Sequence, residues 1–409
     1  MEPGAAQVWD TMARTASIRR SSALPPVAGL LSELIALPSV NPAFLPAGDR
    51  RTGEAGVAAH LAELGQRAGL SVERQAVTPG RENLIVRLTP AGPARQRILL
   101  TPHLDTIGEP NLDPQLKPRT ADGRIYGRGA CDTKGCVAAM FQALLDVAAS
   151  GSRPAGTELV FVGFVDEENA QLGSRFYADQ SRKGSQADAL RADLAIVGEP
   201  TRLEVVSAHK GDVWLRLRTH GVAAHGATPH LGTNAVTAMA RAVLALEVDY
   251  AAELRQRPAH PLLGRPTINV GAIRGGTQPN VVPALCEVDL DRRFLPGETS
   301  AGVQREIQTV LRRAGVRAEF VDLRSAPCAA LETDPSLPLV QKFLKAAGRR
   351  RTRGVHYFCD AAPLAAAGIP AIVFGPGDIA QAHTSEEWID VGQLEAARAS
   401  LVTFLRAQV

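Results

Sequence analysis

Cysteine is scarce in this chain of 409 residues: five, at Cys131, Cys136, Cys286, Cys328 and Cys359, with no CxxC pair and no regular spacing. An odd, scattered set in a chain this long excludes a disulfide framework and predicts reduced thiols in a cytoplasmic protein. A charge excess is missing too. The formal net charge is +3, and Lys and Arg are dispersed apart from Arg349, Arg350, Arg351 and Arg353, so neither nucleic acid nor a membrane is expected as partner. That arginine run reads as a solvated turn beside Gly348 and Gly354, with an anion site as the alternative. No run of about 18 apolar residues exists to span a bilayer. Residues 1–25 are polar and irregular, lack the apolar core of a secretory signal, and are expected to form a disordered tail. Internal repeats and low-complexity tracts are absent as well.

What is present is an ordinary globular composition, 45% hydrophobic and 21% charged, in a length that predicts two domains. Residues 26–36 have the spacing of a short amphipathic helix, broken by Asn41-Pro42. Four short apolar runs, 98–100, 159–165, 194–197 and 371–374, predict buried strands. Helical periodicity lies between and around them, notably over 133–148, where Val137, Met140, Phe141, Leu144 and Leu145 share one face. Such runs predict a mostly parallel sheet covered on both sides. The middle of the chain changes character. Strand 213–219, helix 233–247, strands 267–273 and 285–294, helix 300–314 and strand 316–323 spell β-α-β-β-α-β, a small ferredoxin-like unit. The alternation of Val213, Leu215 and Leu217 gives its first strand one buried face and one open to solvent or a partner. The expected architecture is an α/β domain built from 26–205 and 325–409, interrupted by an α+β unit over 206–324.

Polar residues follow the buried strands in a telling order. The first runs into His103-Leu104-Asp105, the second into Asp166-Glu167-Glu168, the third into Glu199, and the fourth into Gly375-Pro376-Gly377 with His383 close behind. In open α/β sheets ligands sit outside the carboxyl ends of the strands. One acid after a strand is ordinarily a turn former or helix cap, but His and carboxylates gathered on one sheet edge would repel without a cation. In His103-x-Asp105, residues two apart on an extended stretch point the same way, so the carboxylate can orient a metal-bound imidazole; a buried His–Asp pair with no metal is the alternative. The glycine-rich stretch Gly127-Arg-Gly-Ala-Cys-Asp132-Thr-Lys-Gly135 lacks the Walker spacing and a GxGxxG fingerprint. Asp132 is either the cap of the following helix or a carboxylate bridging a metal pair. Adjacent Glu167 and Glu168 cannot point the same way, so one can bind metal while the other handles protons. Mixed His/carboxylate ligation suits zinc, with cobalt or manganese possible.

Together these motifs, with Gly-Glu199-Pro-Thr and Ala-His383-Thr-Ser, resemble the dinuclear zinc family of acetylornithine deacetylase, succinyl-diaminopimelate desuccinylase, aminoacylase and glutamate carboxypeptidase. The resemblance runs from about residue 26 to the end of the chain. It implies a zinc-peptidase-like three-layer catalytic domain carrying an inserted ferredoxin-like dimerisation or lid domain, and two zinc ions per subunit, with cobalt as a possible substitute. By the same resemblance His103 and Glu199 hold one zinc, Glu168 and His383 the other, and Asp132 bridges them. Glu167 is the implied general base, Asp105 the partner of His103, and the Asp132–Thr133 peptide is expected to be cis.

Within the insertion, Gly221-Val-Ala-Ala-His225-Gly is similar to the family's dimerisation motif, which implies that His225 reaches the site of a partner subunit in a homodimer. Asn280, Arg293 and Gly375 are the implied substrate contacts, with neighbouring Arg292 as the alternative to Arg293. Family members acting on free N-termini tend to have Asp where this chain has Glu199. The implied substrate is therefore an N-acyl amino acid of the acetylornithine or succinyl-diaminopimelate kind, with carboxypeptidase or dipeptidase action as the alternative.

Overall fold

A computed structural model describes residues 27–408 apart from 110, 152, 184–186 and 325–327. The expected tail over 1–25 and the boundary expected at 325 lie outside the described residues. No helix among the described residues is long and apolar enough to cross a membrane.

The large sheet has nine strands. Its order is Ser71–Thr78, Arg81–Leu88, Thr157–Gly163, Gln96–Pro102, Leu194–Gly198, Ala371–Val373, Val206–His209 and Leu331–Glu332, with Arg353–Val355 also paired to Val206–His209. The four strands expected from apolar runs form its parallel centre, and antiparallel strands complete it on either side. These runs are apolar at every position because both faces are covered. Ile98, Leu100, Leu159, Phe161, Leu194 and Ile196 face a core with helices Val27–Ala36, Lys134–Ala149 and Val391–Arg406. Leu99, Val160, Val162, Ala195 and Val197 face the opposite core with Tyr177, Ala178 and Leu364. Helix Lys134–Ala149 is buried nearly all round, not on one face as its periodicity predicts, because the sheet and two neighbouring helices enclose it.

The middle segment forms a separate four-stranded antiparallel sheet in the order Thr267–Gly275, Leu285–Phe294, Gly211–His220, Glu319–Asp322. That is the ferredoxin-like arrangement, with its own core of Val213, Leu215, Leu217, Val288, Leu290, Met239 and Ile307 beneath helices Ala235–Leu244 and Ser300–Arg313. The open face carries directly opposed charges: Arg216 lies across from Asp289 and Arg218 across from Glu287. The expected start of this unit at 206 moves to Gly211, because Val206–His209 pairs within the large sheet.

A third, three-stranded sheet (Trp388–Asp390, Arg124–Tyr126, Arg119–Ala121) was not anticipated from sequence. It pins the segment after His383 against the segment that enters the glycine-rich loop, since Gly127 N–H donates to Glu387 O at 3.0 Å. Of the arginines near 350, Arg350 and Arg351 lie in a surface bend and Arg353 opens the strand Arg353–Val355; Arg349 and Arg353 pair with Glu204 at 3.2 and 3.4 Å.

His209, at the end of the large-sheet strand that leads into the small sheet, is fully buried, and burial lowers its pKa to about 4. An unfolded histidine takes up its proton near pH 6.5, so below that pH the unfolded chain binds more protons and folding stability falls. His209 should therefore withdraw about 3 kcal/mol between pH 7 and pH 4. Urea unfolding of the protein and of H209N at both pH values checks this: the variant's acid loss should be smaller by that amount.

Candidate metal centre

The parallel strands deliver their side chains to one edge. His103 follows Pro102 and stays within the sheet through a bridge to Phe164, while Glu199 follows Gly198. The glycine-rich loop brings Asp132 to the same place. Gly135 cannot carry a side chain there, since a Cβ would stand 2.5 Å from Ala130 O, and Gly129 sits at φ +79°, where glycine is favoured. The helix begins at Lys134 without a side-chain cap, so Asp132 is not its cap. Its two oxygens point in opposite directions: Oδ1 is 3.2 Å from His103 Nε2, and Oδ2 is 3.2 Å from His383 Nε2. Glu199 Oε1 lies 3.9 Å from His103 Nε2, and Glu168 Oε2 lies 3.3 Å from His383 Nε2. The Asp132–Thr133 peptide is cis.

The result is two groups of ligand-type atoms, His103/Asp132/Glu199 and Asp132/Glu168/His383, each within 4.8 Å and sharing Asp132. The donors fit a pair of zinc-like ions: one imidazole each, otherwise carboxylates. Glu168 Oε1 is buried and finds no hydrogen-bond partner among the described residues, which also fits a cation there.

Electrostatics report the same crowding. Burial, then the neighbouring carboxylates, raise the pKa of Glu167 and Glu199 well above the usual range despite His103. Burial and Asp132 bring Glu168 to about 7. Burial raises Asp132 as well, but His103 and His383 outweigh it and hold the carboxyl below its usual range. Asp132 and Glu168 raise His383 to about 10. Bound cations would reverse this pattern, favouring ionised carboxylates and neutral imidazoles.

Residues that sequence reasoning missed hold the site in shape. Glu387 is buried and gathers the loop: Oε1 accepts N–H groups of Cys131 at 2.8 Å and Asp132 at 2.9 Å, and Oε2 accepts Gly129 N–H at 2.9 Å and Arg128 Nη1 at 3.0 Å. Asn41 donates to both Asp105 Oδ2 at 2.8 Å and Asp166 Oδ1 at 2.9 Å. Asp105 lies 3.4 Å from His103 Nδ1 through its carboxylate and 3.0 Å through its backbone carbonyl. The carboxylate also accepts the N–H groups of Glu167 and Glu168, so one residue sets both the imidazole and the acidic pair. The only sequence signal for Glu387 is its place four residues after His383, beside Trp388.

The cleft over these residues has a volume of about 660 Å³ and is lined by Asp132, Glu167, Glu168, Glu199 and His383 at its floor. Arg293, Arg324, Trp214, Phe358 and Phe44 stand among its walls. Of the two adjacent arginines, Arg293 lines the cleft, whereas Arg292 is fully buried against Tyr250 and Glu298. His225 and Asn280 are neighbours on the exposed rim of the small sheet, joined by the hydrogen bond from Gly226 N–H to Asn280 O, and neither lines the cleft. Gly375 is buried behind Glu199, where a Cβ would meet Glu199 O at 2.5 Å, so its place is in packing and not in the cleft wall.

Glu387→Gln removes the charge that four donors converge on. It should lower metal affinity about 10–100-fold, the range seen when groups that orient metal ligands are lost. Titration with zinc against a competing chelator checks this, and unchanged affinity would remove Glu387 from the site's support.

Residues 99–407 match the family model described as peptidase family M20/M25/M40. Among solved structures, an M20 family metallo-carboxypeptidase from Sulfolobus solfataricus is 18% identical, with 94% of this chain and 99% of that chain covered and a TM-score of 0.74. Aminopeptidase PepT from Bacillus cereus is 20% identical, covering 93% and 98% at a TM-score of 0.72. Human carnosine dipeptidase 1 is 14% identical, covering 93% and 96% at 0.64. At such identities these structures establish a shared fold. The family match spans most of the chain, from the strand that ends before His103 to the last helix, and the protein therefore belongs to peptidase family M20/M25/M40, as a metal-dependent hydrolase of amide bonds.

Proposed function

We propose that the protein is a dinuclear zinc deacylase, removing the acyl group from an N-acyl amino acid in the manner of acetylornithine deacetylase and succinyl-diaminopimelate desuccinylase. The observation that carries this reading is Asp132, whose two oxygens face separate histidines at equal 3.2 Å distances. In this reading His103 and Glu199 hold one ion, Glu168 and His383 the other, and Asp132 joins them. Two ions so held supply Lewis acidity, polarising the amide carbonyl and acidifying the attacking water.

The chain's own residues do the rest. Glu167 lines the cleft but belongs to neither ligand group, which suits a general base. It takes a proton from water as the water oxygen bonds to the amide carbon. It returns the proton to nitrogen as the C–N bond breaks. Asp105 is a positioning residue, fixing the His103 ring and the backbone that aims Glu167. A second reading, carboxypeptidase or dipeptidase action, is favoured by the names of the similar structures: an aminopeptidase, a metallo-carboxypeptidase and a dipeptidase.

The small sheet is assigned as a lid and dimerisation domain. Ile273 and Leu285 on its strands, and Val222, Leu231, Leu244 and Val248 on the loops and helices of the same domain, are exposed, an apolar set that a second copy of the chain would cover. In that assembly His225 would stabilise the oxyanion in the partner's cleft.

Three measurements bear on this reading. In a screen of N-acetyl and N-succinyl amino acids against dipeptides, with zinc or cobalt supplied, the acyl substrates should be cleaved faster; preferential dipeptide cleavage reverses the two readings. E167Q should lose about 10²–10⁴-fold in kcat while keeping its metal. Sedimentation should give a dimer, and H225A should retain metal and dimer but lose kcat; a fully active monomer would take His225 out of the chemistry.

A further inference from the structure

Above its acidic floor the cleft is walled by cations and rings, and the two arginines are not equivalent. Arg293 is already engaged: Nε and Nη2 donate to the two oxygens of Asp291 at 2.8 and 2.9 Å, and buried Asp212 lies 3.7 Å from Nε. A substrate carboxylate would have to displace a bidentate partner to reach it. Arg324 is held differently. Its guanidinium carbon is 4.0 Å from the centre of the Trp214 ring and 4.7 Å from that of Phe358. Its polar contact is a weak one from Nη1 to Cys328 Sγ at 3.6 Å, and its Nε is buried without a hydrogen-bond partner among the described residues. No carboxylate among the described residues lies within 4.0 Å of it. Rings near a guanidinium fix its plane and leave donors at its edge, the geometry that receives a carboxylate.

We propose that Arg324, braced by Trp214 and Phe358, is the specificity-determining residue that receives the carboxylate of the substrate, with Arg293 serving chiefly to hold Asp291 and Asp212. The inference rests on the proposed action on N-acyl amino acids and narrows it. Among the described residues the acids lining the cleft are Asp132, Glu167, Glu168 and Glu199, all on its floor, so a basic substrate side chain would find no unclaimed carboxylate among the described wall residues. Phe44, Ile107, Leu323 and Ile379 line the same cleft and favour an apolar side chain. The substrate class is thus a carboxylate-bearing N-acyl amino acid with an apolar side chain, rather than one bearing an ammonium group.

The test uses the zinc-loaded full-length protein carrying E167Q, so that ligands persist during calorimetric titration. The probes are N-acetyl-L-phenylalanine and its carboxamide, which differ in the charge that Arg324 would read. Stronger binding of the carboxylate is expected. R324M should raise the carboxylate's Kd about 10–100-fold and leave that of the carboxamide unchanged. R324K should restore part of the preference, and R293M should preserve it; melting temperatures confirm that each variant is folded. The proposal is overturned if neither probe binds, if the parent shows no preference, if the preference survives R324M, or if R293M alone abolishes it. Should the carboxylate follow Arg324 while the active enzyme cleaves only dipeptides, the deacylase reading falls and the role of Arg324 stands.

Discussion

Mutual repulsion among buried carboxylates is the constraint on which this structure turns. Asp132, Glu168 and Glu199 lie within a few ångströms of two histidines, Glu167 lines the same cleft, and burial opposes the ionised form of each acid. Such a cluster is held by positive charge or it relaxes. The two imidazoles supply some of that charge through Asp132, and the remaining ligand geometry fits two divalent ions. The supporting shell follows from this constraint. Glu387 draws four donors together so that Asp132 faces inward, and Asn41 bridges Asp105 and Asp166 so that the next acids are aimed and not merely close.

The scaffold answers with stiffness. His103, Glu167, Glu168 and Glu199 follow parallel strands whose both faces are packed, so their backbone positions are set by two hydrophobic cores at once, while Asp132 comes from the glycine-rich loop that Glu387 gathers. His383 alone among the ligand-type residues comes from an exposed stretch, with half its side chain open to solvent, and the three-stranded sheet that begins at Trp388 anchors it from one side. A rigid floor with one exposed ligand leaves the walls to decide what binds. The small sheet and its flanks contribute Trp214, Arg293, Leu323 and Arg324 to those walls, and the large domain contributes Phe44, Ile107, Tyr357, Phe358 and Ile379.

Much of this was legible in the chain. The four central strands, the acids and histidines that follow them, and the β-α-β-β-α-β middle segment could be read because apolar runs and period-two alternation reflect burial directly. Of the charged residues that support the site, Asp105 was legible beside His103 but Glu387 was not, and the reason is physical. Glu387 looks like any polar residue after a histidine until four donors from a loop more than 250 positions away converge on it. Helix Lys134–Ala149 has an amphipathic pattern but no exposed face, since enclosure depends on neighbours that the segment does not encode.

By itself, then, the sequence determined which chemistry is available: imidazoles and carboxylates at strand ends, a glycine-rich loop, and a second domain inserted between them. Local propensity and hydrophobic period suffice for that, because each is a property of a short stretch. Tertiary structure alone decided the assignments within that chemistry. It turned the two oxygens of Asp132 toward different histidines, buried Arg292 while exposing Arg293 to the cleft, placed Gly375 in packing, and set Arg324 against Trp214 and Phe358. None of these is a property of a short stretch: each depends on side chains that meet only once the chain has packed, within one domain for Asp132, Arg292 and Gly375, and across the two for Arg324 and Phe358.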